Sequence, residues 1–212
     1  MDGRSTPSFD RGFWEDRWSA VLREHPEQIA RRPPNDHLTA MLGGLAPGRA
    51  LDAGCGHGSE AFWLAAHGWR VTAVDFSATV LAHCRSTAAA LGSDLAERID
   101  WVEGDLGVWT PDPGLYDLVL SLYVHVAGPV EDMVSRLASG VAPGGTLLLV
   151  GHLPVDPVTG AETSAAGQVQ VTVPAATAVL EPHIWETIVA EERPRAAVGS
   201  GFDAVVCARR LS

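Results

Sequence analysis

Short apolar runs alternate with longer segments of helical periodicity through the middle of the chain. Residues 49–53, 70–75, 99–103, 116–122 and 145–151 are rich in Val, Leu, Ile and Ala and end near Gly, Pro or Asp, so they are predicted strands. The segments 58–67, 77–91 and 129–140 place apolar residues three and four apart and are predicted helices. Between 103 and 116 the chain is turn-rich, and any helix there is short. Strands that alternate with helices need right-handed crossovers, which give a parallel sheet covered on both faces.

The ends of the chain follow other patterns. Phe9, Phe13, Trp14, Trp18, Val21 and Leu22 recur at helical spacing, predicting an amphipathic helix over 9–25. "RRPPND" stops it, and Asn35 or Asp36 caps a second short helix through Leu42. Past the fifth strand, "HLPVDPVTGAETSAAGQ" reads as a long loop, and loops of that length are usually functional or disordered. A helix near 174–181 follows. Two β-rich runs, "HIWETIVAEERPR" and "GFDAVVCARRLS", separated by "AAVGS", then suggest an antiparallel hairpin at the sheet edge.

The expected fold class is α/β: a doubly wound, Rossmann-like, mostly parallel seven-stranded sheet with an antiparallel last strand and an N-terminal helical cap. We read 1–212 as a single domain. Its parts are a cap (1–43), a cofactor-binding core (44–152), a loop and helix on the substrate side (153–183) and closing strands (184–212).

Composition narrows the function. The net charge is −11, every basic residue is arginine and no basic run exceeds two, so the concentrated positive face that a nucleic-acid substrate needs is not expected. The absence of lysine suits the arginine-favouring codon usage of a GC-rich, bacterial genome. Cys55, Cys84 and Cys207 are too scattered for a disulfide framework, and no spacing suggests a metal site. The polar start lacks an apolar signal core, and no stretch is long and apolar enough to span a membrane. A cytoplasmic protein, monomer or homodimer, without membrane or nucleic-acid partners is the expectation.

The stretch "ALDAGCGHGSEA" (50–61) places Gly54, Gly56 and Gly58 directly behind the first strand, where an open α/β sheet binds its ligand. A nicotinamide or flavin dinucleotide asks for G-x-G-x-x-G, but the third position here is Ser59. The spacing is instead G-x-G-x-G behind an acid, Asp52. An acid there suits a cationic ligand better than a phosphate.

"LDAGCGHG" resembles motif I of the class I S-adenosylmethionine-dependent methyltransferases. Further strand ends agree in order. "VTAVDFS" ends in Asp75, about twenty residues on, where an acid can accept hydrogen bonds from both ribose hydroxyls, with Phe76 beside it for the adenine face. By the same resemblance Asp105 and the backbone of Leu106 in "EGDL" read the adenine edge. "YDLVLSLYVHV", similar to motif IV, leaves Ser121, Tyr123 and His125 near the methionyl end, and Cys55 packs within the glycine loop. "APGGTLLLVGH" is similar to the turn and fifth strand that follow. "FWEDRW" resembles the opening of the thiopurine and tellurite-resistance branch, and "PPN" ahead of the second helix and "WETIVAEERPR" also resemble that branch. In that branch an N-terminal helix closes over the cofactor. Trp14 and Trp18 lie one helical turn apart and share a face, and aromatic faces attract a sulfonium as they attract an ammonium.

The resemblance implies S-adenosyl-L-methionine as cofactor and methyl transfer to a small-molecule acceptor, a thiol, nitrogen, oxygen or oxyanion. Such a displacement needs positioning above all, and sometimes a base for the acceptor's proton. His125 and His152 each lie just past the carboxyl end of a central strand and are the candidate catalytic residues, with Tyr123 and His37 as candidate substrate contacts. His25, His67 and His83 read as structural or surface residues. His57 reads as a filler of the glycine loop with its side chain turned away. A NAD-dependent oxidoreductase and a non-catalytic cofactor- or partner-binding protein are the alternatives.

Overall fold

The computed structural model describes residues 11–24, 32–42, 44–163, 166–195 and 201–212. Five strands run parallel to one another: β1 (Arg49–Ala53), β2 (Arg70–Asp75), β3 (Ile99–Glu103), β4 (Tyr116–Leu122) and β5 (Val141–His152). Two more, β6 (Trp185–Pro194) and β7 (Phe202–Arg210), complete a seven-stranded sheet in the order β3-β2-β1-β4-β5-β7-β6. β7 is antiparallel to both β5 and β6, so the closing hairpin occupies one sheet edge as expected. Residues 196–200, where its turn was placed, lie outside the described residues, as do Phe9 and His25.

The central strands read as unbroken apolar runs because both sheet faces are covered. Successive side chains point to opposite faces. Leu147 and Leu149 belong to one buried cluster, whereas Leu148 and Val150 belong to the other. The first cluster is closed by α6 (Val130–Ser139) and α7 (Val173–Ala178), the second by α2 (Asp36–Leu42), α3 (Ser59–Ala66) and α4 (Ala78–Leu91). In α6 the buried positions Val130, Met133, Val134, Leu137 and Ala138 trace one helical face.

Two details depart from the sequence reading. A one-turn helix, α5 (Ser93–Ala96), follows Gly92, whose φ of 126° ends α4. β5 begins at Val141 rather than 145, since pairing to β4 resumes across a register irregularity between Tyr116 and Leu118 that Gly144, at φ 78°, accommodates. The N-terminal helix, α1 (Arg11–Glu24), has no fully buried residue. It is therefore a cover over the sheet's carboxyl edge and not part of the core. Strand order reverses between β1 and β4, and the crevice opens at that switch point.

Candidate functional site

The loop after β1 is pinned to β2 before it meets any ligand. The N–H groups of Gly54 and Cys55 both donate to the Val74 carbonyl, at 2.8 and 3.0 Å. Gly54, Gly56 and Gly58 have φ of 86°, 48° and 82°, a conformation that residues with a Cβ rarely adopt. A Cβ on Gly56 would lie 2.9 Å from Trp18 Cζ2, so the bare position is what lets the Trp18 ring come down on the loop.

Asp75, at the end of β2, is 6% exposed. Its Oδ2 accepts from Gly56 N at 3.0 Å and its Oδ1 from Ser77 N at 2.9 Å, so one carboxylate fixes both the glycine loop and the start of α4. Burial raises its pKa, and the Ser77 and Gly56 donors work against that rise. α1 is fastened at the same place. Glu15 accepts from Ala78 N at 2.8 Å and from Ser77 Oγ at 3.1 Å, and Arg11 pairs with Glu103 at 2.6 Å.

The resulting crevice encloses about 580 Å³, within the usual range for a small-molecule site. Twelve residues singled out in the sequence line it: Trp14, Trp18, Gly54, Cys55, Gly56, Asp75, Phe76, Asp105, Leu106, Tyr123, His125 and His152. Asp52 and Ser121 do not line it. They are 2% and 1% exposed beneath it, and Asp52 Oδ2 and Ser121 Oγ have no hydrogen-bond partner among the described residues. Burial, then the charges of Glu60 and Asp75, drive the Asp52 carboxyl well above the usual range. A lining that holds Glu60 and Asp75, with Asp52 beneath it, suits a ligand with positive charge.

His57 corrects the sequence reading, for its ring lines the crevice instead of turning away. The glycines on either side bend the loop so that His57 Nε2 meets Ser59 Oγ at 2.8 Å and the ring lies 5.9 Å from that of Trp18. Burial, reinforced by Arg32, lowers its pKa to about 4. His125 stacks on Trp14 with ring centroids 5.3 Å apart. Burial, then neighbouring His152, lowers its pKa to about 4, while a hydrogen bond with the Val169 backbone opposes the shift. Its imidazole is neutral at physiological pH.

Opposite the glycine loop stands a polar wall. Tyr123, at φ 58°, is the non-glycine residue with positive φ among the described residues, and such backbone is sustained only where the surroundings over-determine it. Its hydroxyl donates to Asp203 Oδ2 at 2.7 Å and accepts from Asn35 Nδ2 at 3.1 Å, and its ring stacks on His152 at 3.9 Å. Burial and then Asp203 push the phenol's pKa up. His37 does not line the crevice but stands behind this wall, its Nε2 3.5 Å from Asp203 Oδ2.

Asp203 escaped the sequence reading, as did Arg195, Glu60, Arg17, Arg32 and Gln168. Its signal was an acid inside the apolar run "GFDAVVC". Asn35 was named only as a cap, and it does accept His37 N at 2.8 Å. Asp203 is fully buried. Burial alone would raise its pKa, but its polar contacts with His152, His37, Arg195 and Tyr123 hold it far below the ordinary carboxylate value. A carboxylate depressed in the folded state contributes stability that is complete above its unfolded pKa and lost as pH falls. Asp203→Asn is therefore expected to cost about 2 kcal/mol at neutral pH. In thermal melts its deficit against the parent should narrow below about pH 4.

Residues 50–145 match the family described as methyltransferase domain. Among curated proteins, the chain is 30% identical over 136 residues to trans-aconitate 2-methyltransferase of Paracidovorax citrulli, covering 62% of this chain and 49% of that protein. It is 32% identical over 112 residues to ribosomal RNA small subunit methyltransferase C of Alcanivorax borkumensis, covering 50% and 33%. The match thus spans half the length of these relatives or less. Among solved structures, 1,6-didemethyltoxoflavin-N1-methyltransferase of Burkholderia thailandensis, with bound 1,6-didemethyltoxoflavin and S-adenosylhomocysteine, superposes with a TM-score of 0.63 at 20% identity, covering 100% of this chain and 98% of that one.

Proposed function

From a chain that carries the fold of the class I S-adenosylmethionine-dependent methyltransferases, we propose transfer of a methyl group from S-adenosylmethionine to a small-molecule acceptor. The observation that carries the proposal is Asp75, buried at the end of β2 and tied to a loop of three positive-φ glycines. When bound, S-adenosylmethionine supplies an electrophilic methyl group on a sulfonium sulfur.

Asp75 would hold the ribose hydroxyls with its remaining lone pairs, and Phe76, Asp105 and Leu106 would border the adenine. Gly54 to Gly56 would face the amino-acid tail, with Cys55 packed behind them, and Asp52 and Ser121 would support this floor from beneath. Trp14 and Trp18 would cover the group and exclude water. The wall of Tyr123, His125 and His152, backed by His37, would receive the acceptor. This reading keeps the resemblance of "FWEDRW" to the opening of the thiopurine and tellurite-resistance branch, in which an N-terminal helix closes over the cofactor. The chain's charge of −11 favours a small acceptor over a nucleic acid, and the crevice volume matches one.

A screen of thiols, phenols, amines, carboxylates and inorganic oxyanions for S-adenosylhomocysteine production tests the proposal. His125→Ala and His152→Ala are each expected to lower turnover by about 100-fold on an acceptor that must lose a proton. Failure of the parent protein to bind S-adenosylhomocysteine in a calorimeter would remove the basis of the proposal.

A further inference from the structure

The wall holding His152 contains more hydrogen-bond donors than Asp203 can accept, and that imbalance decides which ring nitrogen bears the proton. A carboxylate offers about four lone-pair sites. On Oδ1, Arg195 donates from Nε at 3.2 Å and from Nη2 at 3.0 Å. On Oδ2, the Tyr123 hydroxyl donates at 2.7 Å and His37 Nε2 stands at 3.5 Å. His152 Nδ1, 3.1 Å from Oδ1, would be a fifth partner. The same nitrogen lies closer to Arg195 Nη2, at 2.7 Å.

A guanidinium carries donors only and keeps its proton in proteins. Its short contact with Nδ1 is attractive when Nδ1 offers a lone pair, which leaves the ring's hydrogen on Nε2. That atom has no hydrogen-bond partner among the described residues, and the ring lines the crevice. Stacking on Tyr123 at an interplanar angle of 21° keeps the imidazole from rotating away.

Building on the methyl-transfer reading, we propose that Arg195 is a positioning residue that fixes His152 as its Nε2–H tautomer, so that His152 presents a hydrogen-bond donor to the methyl acceptor. The acceptor class follows. It carries a hydrogen-bond-accepting lone pair on or beside the methyl-accepting atom, as the oxygens of a carboxylate do. The two histidines of the polar wall then divide the work, His152 orienting that lone pair and His125, a neutral imidazole, taking any proton the acceptor must lose. The ionisable groups around His152 are Asp203, Arg195, Tyr123 and His37, with His125 also on the crevice lining.

Long-range proton–nitrogen correlation spectra of the histidine rings, recorded near neutral pH on the whole chain with S-adenosylhomocysteine added, test this without a known acceptor. The parent is expected to give the Nε2–H pattern at His152. In Arg195→Leu, Asp203 loses its two guanidinium donors, and the pattern should change to Nδ1–H or to imidazolium. A parent spectrum showing Nδ1–H or imidazolium at His152 overturns the proposal, and that measurement decides even if the variant does not fold. An Arg195→Leu spectrum identical to the parent's overturns it as well. Calorimetry with S-adenosylhomocysteine separates the two levels: no heat with the parent defeats the methyl-transfer reading, whereas normal heat with the wrong tautomer defeats only the role of Arg195.

Discussion

Asp75→Asn is expected to weaken S-adenosylhomocysteine binding about 100-fold, measured by calorimetry. Both carboxylate oxygens already accept backbone N–H groups, from Gly56 and Ser77. An amide must turn its NH₂ toward one of those donors, so either the glycine loop or the start of α4 moves. The same substitution removes an acceptor from a ribose diol. Hydrogen bonds to a charged group are worth about 1.5–3 kcal/mol. One such loss plus a displaced loop amounts to about 3 kcal/mol, or roughly two decades in Kd. Unchanged affinity would mean that the nucleoside does not lie against the end of β2.

Gly54→Ala is expected to destabilise the fold by about 2–5 kcal/mol. An added methyl at this position would stand 2.2 Å from Val124 Cγ2, and φ is 86°. The left-handed backbone costs an L-residue about 1–2 kcal/mol, and overpacking adds about 1–3 kcal/mol. Val124 is stiff about χ1 and packs against the buried cluster on its side of the sheet, so it gives way poorly. The midpoint of thermal unfolding should fall by on the order of 10 °C in a chain of this size. Gly128→Ala is the control, since a Cβ there meets nothing within 4 Å and the change should be nearly neutral. Equal melting of the two variants would show that the loop relaxes around the methyl group.

The glycine-loop half of the crevice was legible because each of its parts is local. A glycine triplet behind an apolar run marks a strand that ends in positive-φ backbone, and an acid at the end of the next strand lands beside it in any parallel pair. Cα pairing of Asp52 with Ala73 and of Ala53 with Val74 places the two strand ends side by side. Trp14 and Trp18 were legible for the same reason, as helical spacing alone sets them on one face. His57 was misread because its direction depends on the φ values of Gly56 and Gly58, which the letters do not state. Asp52 and Ser121 lie under the crevice instead of on it, since alternate residues of a strand face opposite sides of the sheet and burial follows from what packs there.

The amino-acid order by itself determined the alternation of strands and helices, the parallel sheet with its closing hairpin, and the loop at the switch point. These rest on periodicities within a dozen residues, and the physics that reads them is burial and backbone sterics. Only the tertiary structure decided the polar wall around Asp203. His152 pairs with Asp203 across the β5–β7 register, and Arg195, Tyr123, Asn35 and His37 reach the same carboxylate or its hydrogen-bond partners from separate segments. A single buried charge must gather its donors from wherever the chain returns, so their identity is set by long-range register and leaves no local pattern behind.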